Sequence, residues 1–415
     1  MATIAVLVDF EEGHFLSSVK LAKGLRGRGH RVVYLGPEAI APMVERQGFE
    51  LLPVFGQLLS GVSRSADVRE PTAAWLGQLV SGEALDELLG RLRPDLMIVL
   101  SLFYPEALAV SCRYGLPIVL WTPFCRKAEV PRLTLVEDWV SNRLMSLRSS
   151  DLDAYLQMVA AAGHRFSSFK DMAQIILRMP ELIAMPRAFE LPEMLDEPNT
   201  HFCGTGIDLE RSDEAFPWHE LPALAARPDL PVVFCSLGSQ ADLEPAAAQR
   251  FFQTVAATAA ANPSWQLILA VGRAFDPGTL GPLPANLHAG RWVPQLDVLR
   301  RARLMVTHAG AGTVKECILL GVPMVVLPLM RDQFDAARRV VHHRLGISGS
   351  LAELTPERLT AMIGEVVADE AMRQRVAAMQ QLFLAADRAM TEVDVVEAAL
   401  VRAPVPAAAP PGAGR

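Results

Sequence analysis

The sequence predicts an α/β protein made of two consecutive parallel-sheet domains, and three observations carry that expectation. Apolar strand-like runs alternate with helical patterns, and the alternation starts afresh in the second half of the chain. At 415 residues the chain is long enough to split into two or more domains. Its 51% hydrophobic content supplies a sizeable core for each.

Taken in order, the first half places strands at Thr3–Val8, Arg31–Leu35, Phe49–Val54, Asp95–Ser101, Pro117–Trp121 and Leu182–Met185. Helices such as Leu16–Gly27 and Ala74–Leu92 connect them, and Lys127–Lys170 breaks the rhythm as a run of several helices. A loop-rich stretch near Cys203–Leu230, carrying Pro217, Pro222 and Pro228, reads as a linker. The first domain is therefore drawn at 1–210, the linker at 211–230 and the second domain at 231–390. Strands of the second half are expected at Pro231–Leu237, Gln266–Val271, Leu287–Arg291, Leu304–Thr307 and Met324–Leu327. After Thr355 the pattern is helical to about Ala403, and the closing APVPAAAPPGAGR makes 404–415 an expected disordered tail.

Charge and cysteine usage narrow the function. A net charge of −7 with no basic stripe argues against a nucleic-acid partner. Cys112, Cys125, Cys203, Cys235 and Cys317 are scattered and lack metal-type spacing, which suits free thiols in a reducing cytoplasm. The apolar start TIAVLV lacks a preceding basic segment and is followed by Asp9, Glu11 and Glu12, so it reads as a first strand and not a signal peptide. No apolar run reaches membrane-spanning length.

The most informative run is THAGAGTVKE, Thr307–Glu316. It follows a buried strand, and Gly310 and Gly312 let backbone come close to a ligand at the start of a helix whose free N–H groups suit an anion. His308 and Thr313 can donate to phosphate oxygens. Glu316, almost one turn beyond Thr313, can accept from a ribose diol. A tight turn with a satisfied histidine fits the run alone as well.

RWVPQLDVL, from Arg291, precedes this turn, and LPLMRDQFD, from Leu327, follows it. Together the three segments resemble the donor-binding signature of the inverting GT-B nucleotide-sugar glycosyltransferases, the UDP-glycosyltransferase group. The resemblance implies two Rossmann-like domains facing across a cleft, with the last helix, 391–403, packing back on the first domain. It also implies a UDP-sugar donor, with Trp292 stacked on the base and Val293 in the same donor set. Gln295 would contact base or ribose, Glu316 the ribose hydroxyls, His308, Gly310, Gly312 and Thr313 the phosphates, and Asp332 and Gln333 the sugar. In CSLGSQ, Cys235–Gln240, Gly238 and Ser239 match a phosphate-side loop of the family, although an ordinary strand-to-helix turn reads equally well.

The first strand-to-helix loop, DFEEGHF, supplies the candidate base, His14. Glycosyl transfer to a hydroxyl requires removal of its proton, and imidazole, with an ordinary pKa of about 6.5, suits that work. In the family the base is a histidine in this loop, though the usual proline after it is replaced near Ser17. The family's orienting aspartate, at the end of the fourth strand, is missing from DLMIVLSLFYPE, where the matching position falls near Leu100 or Ser101. Ser101 is taken as the orienting partner, with Glu106 and Asp9 left open.

Asp151-Leu152-Asp153 has the form of a metal-binding pair, but acidic residues opening a helix account for it, and no metal or other cofactor is expected. His342 and His343 are adjacent on a helix and point apart. Phe103, Tyr104, Trp121 and Phe124 fit an acceptor pocket or the core equally. The expected activity is inverting, metal-independent transfer of a sugar, glucose first, from UDP to a hydroxyl of a small apolar acceptor such as a polyketide, macrolide, carotenoid or phenolic. The partners are thus a nucleotide sugar and a small molecule. The rivals are a nucleotide-sugar epimerase on the same plan and a non-catalytic binding protein that has lost its dyad.

Overall fold

The computed structural model describes residues 1–54, 69–81, 85–211, 215–220, 226–227 and 229–401. Strands β1 (Thr3–Leu7), β2 (Arg31–Gly36), β3 (Glu50–Pro53), β4 (Leu96–Leu100), β5 (Ile118–Thr122), β6 (Glu181–Ile183) and β7 (Thr200–Phe202) form one sheet in the order β3-β2-β1-β4-β5-β6-β7. Strands β8 (Val232–Ser236), β9 (Gln266–Ala270), β10 (Leu287–Gly290), β11 (Ala302–Thr307), β12 (Met324–Val326) and β13 (Gly346–Ser348) form a second, in the order β10-β9-β8-β11-β12-β13. Adjacent strands are parallel throughout. Helices cover the faces, and central strands such as LMIVL of β4 are buried along their whole length. That is why they read as unbroken apolar runs and not as alternating ones. The architecture is GT-B, two Rossmann-like domains facing across a cleft.

In each sheet the chain starts near the middle and later crosses back, so the order reverses between β1 and β4 and again between β8 and β11. Loops at the carboxyl ends of such strand pairs diverge and leave a crevice, the usual place for a ligand in open α/β sheets. A cavity lined by Glu12, Leu16 and Met43 from one domain and by Arg273 and Trp292 from the other lies between the two domains.

Several expected elements take a different form. The helical stretch 74–92 is described as Arg69–Ser81 and Asp86–Leu92, and the helical region after Thr355 is three helices, Pro356–Ala368, Glu370–Ala389 and Thr391–Val401. The Asp369 side chain accepts Met372 N at the start of the second, and left-handed Met390 (φ 53°) ends it. β7 and β13 are not expected from the sequence, being three residues each and too short to show a period. Gly346 is required in β13, because a Cβ there would lie 2.2 Å from the Met324 carbonyl oxygen. The expected tail at 404–415, and Pro222 and Pro228 of the linker, lie outside the described residues.

The last helix returns to the first domain, where Val393, Val396 and Ala399 join the core that contains β1 and β4. Gly24 makes room for it, since a Cβ would meet Met390 Cε at 2.5 Å and Val393 Cγ2 at 2.9 Å. Burying each of those valines stabilises the contact by about 1.5–3 kcal/mol. The Asp387 carboxylate fixes the preceding turn by accepting Thr205 N at 2.6 Å and pairing with Lys20 at 2.5 Å.

Candidate active site

On the first domain's side of the cleft, β1 ends in a short loop and the helix Glu12–Gly27 begins. Glu11 enters that helix without a capping side chain, and its own N–H is taken by Asp9 Oδ1 at 3.0 Å. The same carboxylate receives His14 Nδ1 at 3.0 and 2.8 Å. An acceptor-only partner assigns the ring proton to Nδ1 and leaves Nε2 as the lone-pair nitrogen. Burial works against the charged imidazole, but attraction to Asp9, the Asp9 hydrogen bond and the charges of Glu11 and Asp332 outweigh it, so the His14 pKa is raised. Asp332 belongs to the second domain, so this field reaches across the cleft.

Ser101 is not the partner of His14. Its Oγ is buried and makes no hydrogen bond among the described residues. Glu106 is also engaged elsewhere, buried and paired with Arg143, whose Nε donates to it at 2.8 Å. Asp9, one of the alternatives the sequence leaves open, supplies the carboxylate. The available signal was local: an aspartate five residues before the histidine, placed to bind the loop's own N–H groups. Ser17, where the family has proline, receives the Trp121 indole N–H at 3.1 Å and donates to the His14 carbonyl at 2.7 Å, tying the helix start to β5.

On the opposite side, β11 delivers His308 into a narrow slot. A Cβ on Gly238 would lie 2.4 Å from His308 Cε1, and one on Gly310 would lie 2.5 Å from Nε2. Glycine at both positions lets the loops after β8 and β11 close on the ring, and Gly238 (φ 77°) also needs left-handed backbone. Burial pushes the His308 pKa down to about 4 despite a backbone hydrogen bond at Ser236, so its imidazole is neutral at pH 7. Gly310 precedes the helix Ala311–Leu319, and a Cβ at Gly312 would meet nothing within 4 Å, which leaves space before that N-terminus. Ser239 is exposed on the β8 loop.

Within this helix, Thr313 and Glu316 share a partner. Gln295 Nε2 donates to Thr313 Oγ1 at 3.2 Å and to Glu316 Oε2. Arg211 Nη1 donates to Glu316 Oε1 at 2.6 Å. Between them Lys315 is fully buried and crosses the domain boundary, donating to the carbonyls of Pro123 at 3.2 Å and Ala184 at 3.0 Å. Burial pulls its pKa down to about 8. Arg211 belongs to no motif of the sequence, and Lys315, although inside THAGAGTVKE, is a lysine whose burial and cross-domain contacts only the fold reveals.

The other candidate donor residues divide. Trp292 is exposed over about half its surface (47%), with the Arg273 guanidinium 4.6 Å from its ring centroid and Arg273 itself 3.8 Å from Glu12 Oε2. Val293 differs from its expected role, because its side chain is buried in the second domain's core and leaves only backbone for a ligand. Asp332 is half-buried just before the helix Gln333–His342, and burial raises its pKa. Gln333 is partly committed: its Oε1 accepts Leu329 N at 2.8 Å and Met330 N at 3.0 Å, holding the loop and leaving its Nε2 for a sugar.

The remaining candidates have structural roles. Asp151 pairs with Arg148 at 2.9 Å in the first turn of Ser149–Ala161. His343 Nε2 lies 3.0 Å from the Phe189 carbonyl oxygen, apart from His342 in function. Phe103, Tyr104 and Trp121 are core residues. Among the described residues no three His, Cys, Asp or Glu side chains group as metal ligands, and no helix is long and apolar enough to cross a membrane.

Comparison with known proteins agrees with this fold. The family model described as UDP-glucoronosyl and UDP-glucosyl transferase matches residues 181–397, more than half of the chain. NDP-glycosyltransferase YjiC of Bacillus subtilis is 27% identical over 95% of this chain and 96% of its own length. The oleandomycin glycosyltransferase of Streptomyces antibioticus is 27% identical over 92% of this chain and 87% of its own. Among solved structures, the glycotransferase of kitacinnamycin superposes with a TM-score of 0.73 at 26% identity, covering 96% of this chain and 99% of that one.

Proposed function

The chain belongs to the UDP-glucoronosyl and UDP-glucosyl transferase family and is a glycosyltransferase, and from that premise we propose that it transfers a hexose, glucose first, from a UDP-sugar to a hydroxyl of a small apolar natural product. The observation that carries this reading is the His14–Asp9 pair, a base with its carboxylate at the switch point of the first sheet. The names of the oleandomycin and kitacinnamycin relatives support the acceptor class.

In the proposed mechanism the acceptor hydroxyl donates to His14 Nε2. Its oxygen attacks the anomeric carbon from the side opposite the diphosphate as the proton moves to the imidazole. The bond from the anomeric carbon to the diphosphate oxygen breaks, its electron pair leaves with UDP, and the anomeric configuration inverts. Asp9 stabilises the imidazolium that forms, a role that needs a carboxylate and that a serine would fill poorly. Thr313 and the N-terminus of Ala311–Leu319 receive the charge developing on the diphosphate. Neutral His308 contributes a hydrogen-bonding nitrogen there and no full charge. Trp292 stacks on the base, Glu316 accepts from the ribose diol, and Asp332 with Gln333 Nε2 binds the sugar hydroxyls. A carboxylate beside His14 also removes the ground for a non-catalytic reading, which rested on a missing dyad.

The test is incubation of the purified protein with UDP-glucose and a panel of macrolide and phenolic acceptors, with and without a chelator, following UDP release and acceptor mass. A gain of one hexose, insensitive to chelator and lost in His14→Ala, is the expected result. Saturable UDP binding with no turnover on any acceptor or alternative sugar would sink the catalytic assignment.

A further inference from the structure

Glu316 is a buried carboxylate on the helix that faces the donor, and both of its oxygens are already held. Gln295, which takes Oε2, comes from the second domain, close to the helix itself. Arg211, which takes Oε1, comes from elsewhere: it lies beyond β7, in the segment joining the domains. That segment is pinned on both sides. Asp208 pairs with Lys23 of the first domain at 2.5 Å, and the Leu209 carbonyl accepts Arg300 Nη2 of the second at 2.8 Å. The linker therefore presents the guanidinium from a fixed base, and its side chain is as buried (8% exposed) as the carboxylate it meets.

A carboxylate with two oxygens has about four acceptor positions. Gln295 and Arg211 occupy one on each oxygen, which fixes the plane of the group and leaves a second lone pair on each oxygen. Two adjacent hydroxyls are the ligand that such a pair suits. We propose that Arg211 is a positioning residue of the donor site: with Gln295 it sets the Glu316 carboxylate to receive the ribose 2′- and 3′-hydroxyls together, and so sets the preference for ribonucleotide over 2′-deoxyribonucleotide donors. This rests on the assignment of Glu316 to the ribose. Arg211 touches no substrate; it acts through Glu316. Lysine would restore its charge but not the planar fork that fixes direction.

The experiment is calorimetric titration of the full chain with uridine diphosphate and 2′-deoxyuridine diphosphate, for the unaltered protein and for Arg211→Gln, Arg211→Lys and Glu316→Gln, with thermal unfolding of each. The unaltered protein is expected to prefer the ribonucleotide by roughly tenfold or more, the scale of a hydrogen bond to a charged group. Arg211→Gln should erase most of that ratio by weakening uridine diphosphate binding about tenfold, while the deoxy compound changes by less than about twofold. Arg211→Lys should fall between, and it decides the matter if the glutamine variant does not fold. A ratio lost in Glu316→Gln but intact in the Arg211 variants would overturn this inference and leave the ribose assignment standing. Equal binding of the two nucleotides by the unaltered protein would overturn both.

Discussion

His14 and His308 occupy comparable places, each just past the carboxyl end of a strand beside its sheet's switch point, His14 in the first turn of a helix and His308 in a loop, yet their surroundings drive them apart. His14 has a carboxylate on Nδ1 and acidic charge around it, and its pKa is raised. His308 is clasped between Gly238 and Gly310, gains no charge from a carboxylate among the described residues, and burial takes its pKa down to about 4. In the proposed mechanism one ring takes a proton and becomes charged, and the other stays neutral beside a developing anion. Two groups of one chemical type acquire distinct roles when their environments push their pKa values apart.

The largest test of this contrast is His14→Ala. Loss of a general base should lower kcat by about 10²–10⁴, with uridine diphosphate affinity unchanged, as steady-state rates and calorimetry would show. A kcat within a few-fold of the unaltered enzyme would place the base elsewhere. Asp9→Asn comes next, with an expected loss on the order of 10² in kcat. Its pH profile carries the sign: a base must be unprotonated, so kcat/KM falls as pH drops through the raised His14 pKa. Removing Asp9 removes the leading upward influence and leaves burial, which acts downward. The acid limb should then move to lower pH, and a limb that stays put would mean that another group sets it.

His308→Gln probes the other half of the comparison. Because His308 is neutral across the working range, its loss should leave the acid limb where it is. The donor KM should rise about two- to tenfold, the scale of one uncharged hydrogen bond. Movement of the acid limb in this variant would show that His308 titrates with catalysis and would break the contrast.

The donor side was more legible in the sequence than the catalytic side, for a physical reason. A donor site built on one strand-turn-helix keeps its residues in one short stretch, so His308, Gly310, Thr313 and Glu316 could be read together. Even there, sequence gave residues without directions: Val293 faces the core, and Gln333 spends its oxygen on the loop at Leu329 and Met330. Arg211 reaches Glu316 over 105 positions, a contact made by tertiary folding that no local pattern records. The two parallel sheets followed from alternating elements, whereas β7 and β13 were too short to be seen. On the catalytic side the family's pattern points to the end of β4, while the carboxylate lies in the loop just before the helix that carries the histidine.

The smallest effect is the most pointed check on that correction. If Ser101 oriented His14, Ser101→Ala would cost activity. In the structure its Oγ is buried and, among the described residues, makes no hydrogen bond. Such a hydroxyl carries a desolvation cost of about 1–3 kcal/mol that alanine removes, set against the loss of a small amount of packing. Ser101→Ala should therefore leave kcat within about twofold and the His14 acid limb unmoved, with a melting temperature equal to or a few degrees above that of the unaltered protein. A tenfold fall in kcat with the fold intact would mean that the working complex pairs His14 with Ser101, and that the contact with Asp9 is exchanged when substrate enters. The melting temperature and the rate thus separate the two arrangements, because only a hydroxyl with a partner in the working complex can lower the rate without lowering stability.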